Sequence, residues 1–267
     1  MILINGIESA AIDPCDRGFA YGDGVFRTLA LRDSQPLLWR RHYARLAHDA
    51  TALGIACPDE QVLAADIATV APRHADGAIR ITLTRGIAPR GYAMQLGSAT
   101  TRVVACSPRT AAAAKAVRAR WCDLRLGIQP ALAGIKHLNR IENVLARAEW
   151  QDPSIAEGLL LDTRGNVIGG TMSNLVLYRD GLLTTPALNE CGIAGVTRDL
   201  IVEYARAEGL PVRIAPVRRE DVQAADGVFL LNSLIGVWQI TALGDLAWPE
   251  HELAARMRKW IGDAEAH

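Results

Sequence analysis

Lysine is nearly missing from this chain: of its 29 basic residues only Lys115, Lys136 and Lys259 carry a side-chain primary amine. Chemistry that needs such an amine therefore has three candidates. An excess of charge is missing too, since 29 acidic residues balance the basic ones. A neutral chain has no electrostatic footprint for nucleic acid or for an acidic membrane surface, and small organic ligands are the expected partners. No apolar run approaches the ~20 residues that a membrane helix needs. The opening Met-Ile-Leu-Ile-Asn-Gly lacks a basic start and is not read as a secretion signal. The five cysteines, Cys15, Cys57, Cys106, Cys122 and Cys191, are odd in number and contain no C-x-x-C pair. That argues against a disulfide framework or a zinc ribbon and fits a reducing compartment. A soluble, cytoplasmic protein without a metal site is expected.

The common catalytic signatures are also missing. His251-Glu252 opens like H-E-x-x-H, but Ala255 stands where the second histidine belongs. Gly22-x-Gly24 is followed by Arg27 in place of the third glycine of a dinucleotide fingerprint. There is no G-x-S-x-G elbow and no G-x-x-x-x-G-K-[ST] loop. Standard hydrolase, kinase and dehydrogenase readings end there.

What is present suits a packed core: 267 residues, half of them hydrophobic and 22% charged, enough for one large domain or two modest ones. Strands are predicted at 2–4, 25–31, 78–84, 102–106, 158–161, 174–178, 182–184 and 227–231, with Asn5-Gly6 and Asp180-Gly181 as hairpin turns. Trp39, Tyr43, Leu46, Ala50 and Leu53 recur at helical spacing and Gly54 ends the pattern. Further helices are predicted over 59–70, 197–208 and 250–261, and another carries Arg140, Glu142 and Asn143. Asp16 to Gly24 reads as a loop. Residues 108–116 carry no amphipathic pattern and serve as a linker, dividing a domain of residues 1–107 from one of 117–267. Strands and helices mix without strict βαβ alternation, so the fold class is α/β or α+β in two domains.

Lys136 stands in Leu132-Ala133-Gly134-Ile135-Lys136-His137-Leu138, a mostly apolar setting. Burial lowers an ammonium pKa and leaves a nucleophilic amine suited to Schiff-base chemistry. The plain alternative is a lysine that snorkels its amine to water.

Six blocks in order resemble the class IV aminotransferase family: Asp16-Arg17-Gly18 with Tyr21-Gly22-Asp23-Gly24-Val25-Phe26; Arg45-Leu46; Arg85-Gly86 with Arg90-Gly91-Tyr92; Gly134 to Arg140; Thr171-Met172-Ser173-Asn174-Leu175; and Gly195-Val196-Thr197-Arg198. The resemblance runs from about residue 2 to 240. It implies a two-domain pyridoxal-phosphate enzyme of fold type IV, D-amino acid aminotransferase-like. In such enzymes the smaller domain is N-terminal, the cofactor sits in the cleft between domains, and homodimers are the usual state. It implies that Lys136 binds pyridoxal 5'-phosphate covalently and that Arg45 pairs with the phosphate. Without the family, Arg45 is a solvated helix arginine. Val196 and Thr197 fall at a helix N-terminus, where backbone N–H groups bind anions. Asn232-Ser233 is similar to the family's second phosphate-side turn, and by itself is an ordinary turn pair.

Within the family, the Lys136 block, Arg90-Gly91-Tyr92 and Thr28 resemble the aminodeoxychorismate lyases of folate biosynthesis, which release 4-aminobenzoate and pyruvate. The resemblance makes Lys136 the base and Thr28 the proton donor to the leaving enolpyruvate. Arg90 would hold a substrate carboxylate, with Tyr92 and Tyr21 beside it. The plain readings are a β-branched strand residue at 28 and a surface turn at 90–92. Gly169 departs from the pattern, because the family has there a glutamate that keeps the cofactor's pyridine nitrogen protonated. Its loss burdens transamination more than a lyase, whose leaving group relieves the developing charge. A transaminase for D-amino or branched-chain amino acids and a catalytically silent scaffold remain the alternatives.

Overall fold

The structure is a computed structural model that describes residues 1–94, 97, 99–109 and 115–266. The chain divides into two compact units, one of Met1–Ala111 with Ile135–Asn139, the other of Ala112–Gly134 with Arg140–His267. Most of the linker predicted over 108–116 lies outside the described residues.

The first unit contains strands β1 (Ile2–Ile4) and β2 (Ile7–Glu8), helix α1 (Arg17–Tyr21), β3 (Gly24–Arg32), β4 (Gln35–Pro36), helices α2 (Trp39–Ala52) and α3 (Glu60–Val70), β5 (Ala78–Thr84) and β6 (Thr101–Ser107). Its six strands form one antiparallel sheet in the order β2-β1-β6-β5-β3-β4. Asn5 and Gly6 both take positive φ, as a tight β1–β2 turn requires. Alternation sends Val25, Leu29 and Leu31 of β3 to one face, where they pack with Ile79, Ile81 and Leu83 of β5, Leu46 and Ala50 of α2, and Leu63 and Ile67 of α3. Leu46 is fully buried there, and truncating such a leucine to alanine costs about 2–5 kcal/mol. Gly54, at φ +64, ends α2 as predicted.

The segment predicted as a loop at 16–24 contains α1. Asp16 caps it by accepting from the Gly18 N–H, and Gly22 closes it in the left-handed conformation. A five-residue helix is too short to show amphipathic periodicity, so only its caps announce it. Residues 135–139, expected beyond the linker, group instead with the first unit. Their backbone bonds to β3: Phe26 N–H donates to Lys136 O at 3.0 Å and Leu138 N–H to Gly24 O at 2.9 Å.

The second unit holds β7 (Ala116–Leu126), α4 (Ile141–Arg147), β8 (Ile155–Asp162), β9 (Val167–Gly170), β10 (Asn174–Arg179), β11 (Leu182–Pro186) and α5 (Val196–Ala207). It continues with β12 (Val212–Ala215), α6 (Arg219–Gln223), β13 (Gly227–Asn232), β14 (Gly236–Leu243), β15 (Leu246–Ala247) and α7 (Glu252–Glu265). Strands β10-β13-β14-β7-β8-β9 follow one another by pairing, and the pair Asn174↔Gly169 joins β9 back to β10, closing a ring of six. Val117, Ala119, Leu159, Leu161, Val167, Leu175, Leu177, Val228, Leu230 and Ile240, drawn from all six strands, share one apolar cluster. Closing the ring also protects strand edges. Strands β7, β9, β12, β14 and β15 are not among those predicted, although Val117-Arg118-Ala119-Arg120 carries the period-two signal for β7. His251, rejected as a metal ligand, is the N-cap of α7 and accepts from the Leu253 N–H. Among the described residues no helix is long and apolar enough to cross a membrane.

Candidate active site

Lys136 is tied to β3 through Val25↔His137, an isolated antiparallel bridge, and through the two backbone bonds that flank it. Its own N–H donates to Asp49 Oδ2 at 3.0 Å. The amine Nζ lies 4.7 Å from the centroid of the Phe26 ring, within cation–π range. Phe26 and Thr28 share one face of β3 by alternation. Thr28 is directly opposite Arg80 of β5, whose guanidinium lies 3.9 Å from the same Phe26 ring. Lys136, Phe26, Thr28 and Arg80 therefore form one group around an aromatic floor.

On the other face of β3, Arg27 is buried and paired with Asp49, which is fully buried on α2. Arg45 stands one turn before Asp49, with Nε 3.9 Å from Asp49 Oδ1. Nearby His42 is also buried, and its pKa is lowered to about 3 by burial first, then by the positive charges of Arg27 and Lys136. It stays neutral at ordinary pH.

Arg90 and Tyr92 sit on an exposed segment; Tyr92 is 86% exposed. Tyr21 reaches this segment twice, accepting the Gly91 N–H at 3.0 Å on its hydroxyl and placing its ring 5.4 Å from that of Tyr92. Arg17 donates to Gly91 O at 2.8 Å and, at 3.5 Å, to Tyr92 O and Ala93 O. Behind it, Asp23 accepts from both Arg17 and Arg85. Burial alone would raise the Asp23 pKa, but the hydrogen bonds and charges of Arg85 and Arg17 outweigh it and hold the carboxyl below its usual value.

In the second unit Gly195 is the N-cap of α5 and supplies no side-chain cap. The N–H groups of the first turn, at Val196 and Thr197, are thus left for an anion. A Cβ at 195 would lie 2.2 Å from Asn174 Oδ1, so only glycine admits this approach. Asn174 in turn donates to Ile193 O at 2.7 Å and holds the loop that enters the helix. Thr197 Oγ1 and Ser233 Oγ are 3.5 Å apart. Asn232 shapes the adjoining turn, accepting from Leu234 N–H and Ile235 N–H and donating to Met172 O. An uncapped helix N-terminus beside two hydroxyls fits a phosphate group.

Gly169 pairs with Asn174 at the ring closure, where a Cβ would lie 2.7 Å from Ser173 O. The nearest buried acid in this stretch is Glu157, whose carboxylate accepts from Gly158 N–H, Thr171 N–H and hydroxyl, Met172 N–H and the Ser173 hydroxyl.

The candidate residues therefore fall into two sets. Lys136, Thr28, Arg45, Tyr21, Arg90 and Tyr92 lie in the first unit, and Val196, Thr197, Asn232 and Ser233 in the second. The sequence does not single out Asp49, Arg80 or Glu157, and it marks Arg17, Arg27 and Asn174 only as motif positions without a role. For Asp49 the signal was available: a charged residue inside the apolar stripe of Leu46 and Ala50 needs a buried partner.

The amino-transferase class IV family model matches residues 24–243. Aminodeoxychorismate lyase of Vibrio harveyi is 35% identical over 247 residues, 91% of each chain. The crystal structure of 4-amino-4-deoxychorismate lyase from Pseudomonas aeruginosa superimposes with a TM-score of 0.93 at 41% identity, covering 98% of both chains. A hypothetical aminotransferase from Mycobacterium tuberculosis, in a PLP-bound form, shares the fold at 24% identity and a TM-score of 0.86, covering 99% of this chain and 98% of its own. The match to the family model spans most of the sequence, and a relative 35% identical is covered over 91% of its length: this chain belongs to the amino-transferase class IV family.

Proposed function

We propose that this chain is a pyridoxal-phosphate-dependent lyase that converts 4-amino-4-deoxychorismate to 4-aminobenzoate and pyruvate, a step of folate biosynthesis. The observation that carries the reading is the Lys136 group: an amine over the Phe26 ring, anchored to β3, with Thr28 on the same strand face. The two lyases from Vibrio harveyi and Pseudomonas aeruginosa, at 35% and 41% identity, support the same assignment.

In this reading Lys136 would attach the cofactor and Arg45 would pair with its phosphate, as the family resemblance implies; in the second unit the Val196 and Thr197 N–H groups, with Asn232 and Ser233, form a site of phosphate-binding chemistry. When bound, pyridoxal phosphate supplies an electron sink conjugated to the substrate amine. Lys136, tethered within reach of the substrate amine, would remove the proton from the amine-bearing ring carbon. Loss of the neighbouring enolpyruvyl group makes the ring aromatic. Thr28 passes a proton to the methylene carbon of the departing enolpyruvate, which becomes pyruvate. Arg90 holds a substrate carboxylate through a bidentate fork, with Tyr92 and Tyr21 shaping its surroundings.

Gly169 favours this lyase over a transaminase. Without an acid at that position the ring nitrogen is a weaker electron sink, and transamination depends on that sink more heavily. We further infer a cytoplasmic homodimer. Ile141, Val144 and Leu145 recur at helical spacing on α4 and are 63%, 60% and 54% exposed, an apolar face of the kind that subunit contacts cover.

The test is a pyruvate-release assay with added pyridoxal phosphate and aminodeoxychorismate, and with Lys136→Ala as control. Equal yields of pyruvate and 4-aminobenzoate from the wild type alone are expected. Absence of pyruvate from a protein that binds the cofactor, with amino transfer to 2-oxo acids instead, would replace the lyase by a transaminase.

A further inference from the structure

We propose that Asp49 is a positioning residue for Lys136, locking the backbone of the reactive lysine to helix α2 one turn from Arg45. This rests on the reading of Lys136 as the residue that binds pyridoxal phosphate.

The Asp49 side chain is 0% exposed, and a carboxylate in that position is costly unless its oxygens are bonded. Its Oδ2 accepts from the buried Arg27 guanidinium and from the Lys136 backbone N–H. Its Oδ1 lies 3.3 Å from His48 Nδ1 and 3.9 Å from Arg45 Nε. As a stabilising device alone, a buried ion pair is poor, because well-packed apolar residues of similar volume commonly do as well or better. What an apolar pair cannot do is accept the Lys136 N–H.

That bond completes a clamp. On one side β3 holds the segment through Phe26 N–H to Lys136 O and Leu138 N–H to Gly24 O. On the other side α2 holds it through the 3.0 Å bond from the Lys136 N–H to the Asp49 carboxyl, which also pairs with Arg27. Lys136 is thereby fixed to two rigid elements, and the amine inherits that placement over Phe26. Because Arg45 lies on α2 as well, the covalent and phosphate contacts proposed for the cofactor are both tied to one helix, Lys136 through Asp49 and Arg45 directly.

The experiment uses the full-length protein with pyridoxal phosphate as the probe. Visible absorbance of the lysine-bound cofactor gives its Kd, and thermal unfolding is measured in parallel. Asp49→Asn is expected to weaken cofactor binding about ten-fold. The double variant Arg27→Met/Asp49→Leu removes both charges and is expected to regain wild-type Tm to within a few degrees while keeping the weakened Kd. Recovery of both Tm and Kd in the double variant would reduce Asp49 to a folding role and overturn the proposal. An unchanged Kd in Asp49→Asn would do the same. Lys136→Ala tests the underlying reading separately: retention of the wild-type absorbance band there would remove Lys136 as the cofactor residue, whatever Asp49 does.

Discussion

Arg17 stands 74 positions before Gly91 in the chain and donates to its carbonyl oxygen at 2.8 Å. Together with Tyr21, which accepts the Gly91 N–H, it pins both polar groups of one peptide residue beside Arg90. If Arg90 binds a substrate carboxylate, its placement depends on these two residues. Tyr21→Phe removes the acceptor and keeps the ring, so KM is expected to rise several-fold with kcat and Tm little changed. Steady-state kinetics decides it. Arg17→Ala also leaves Asp23 with one partner fewer, and an unfolding titration should show a loss of about 3 kcal/mol.

Gly195 allows no side chain, since a Cβ would meet Asn174 Oδ1 at 2.2 Å. Gly195→Ala should displace Asn174 or the entry to α5 and so disturb the N–H groups of Val196 and Thr197. The expected outcome is a pyridoxal-phosphate Kd raised about ten-fold or more, the equivalent of roughly 1.4 kcal/mol. Equilibrium titration followed by absorbance measures it. A wild-type Kd in the alanine variant would remove α5 as the phosphate anchor.

Glu157 is completely buried and accepts from the Gly158, Thr171 and Met172 N–H groups and from the Thr171 and Ser173 hydroxyls. Those donors were chosen by the fold to suit a carboxylate. Glu157→Gln turns one acceptor into a donor facing other donors, and the expected cost is about 2–4 kcal/mol. Denaturant unfolding of the second unit's signal reports it. Thr171→Val, which removes a single hydroxyl donor, should cost less, about 1 kcal/mol.

His42 gives a pH dependence with a definite sign. Its folded pKa is about 3, whereas an unfolded histidine titrates near ~6.5. Between those values the unfolded chain binds a proton that the folded chain refuses, so stability falls as pH drops through that window, by about 1.4 kcal/mol per unit from this residue. Above ~6.5 the contribution vanishes. His42→Phe should flatten the profile across that interval by an amount on the order of 4 kcal/mol at its acid end. Parallel slopes for wild type and variant in pH-dependent unfolding would show that His42 titrates normally.

Local pattern determined much of the fold. The tight turns at Asn5-Gly6 and Asp180-Gly181 follow from residues that accept positive φ. The spacing of Leu46, Ala50 and Leu53 marks α2, with Gly54 as its stop, and β5 occupies the predicted residues 78–84 without a shift. These features depend on backbone sterics and on which face of a short element is apolar, and both are written in neighbouring residues. One weak place was equally local in cause, because α1 is too short to show a period; β7, by contrast, carries a period-two alternation of apolar residues and arginines over 117–120.

The sequence by itself also singled out Lys136, because an amine among apolar neighbours is conspicuous in a chain with so few lysines. It could not say what Lys136 rests on. That Phe26 lies beneath the amine, that Asp49 takes the backbone N–H, and that Arg17 serves Gly91 depend on contacts spanning 74 to 110 positions of chain. No local pattern encodes such partners, because a buried charge is equally compatible with any distant donor until the sheet register is set. Tertiary structure made that choice when residues 135–139 joined β3 and brought Lys136 against α2.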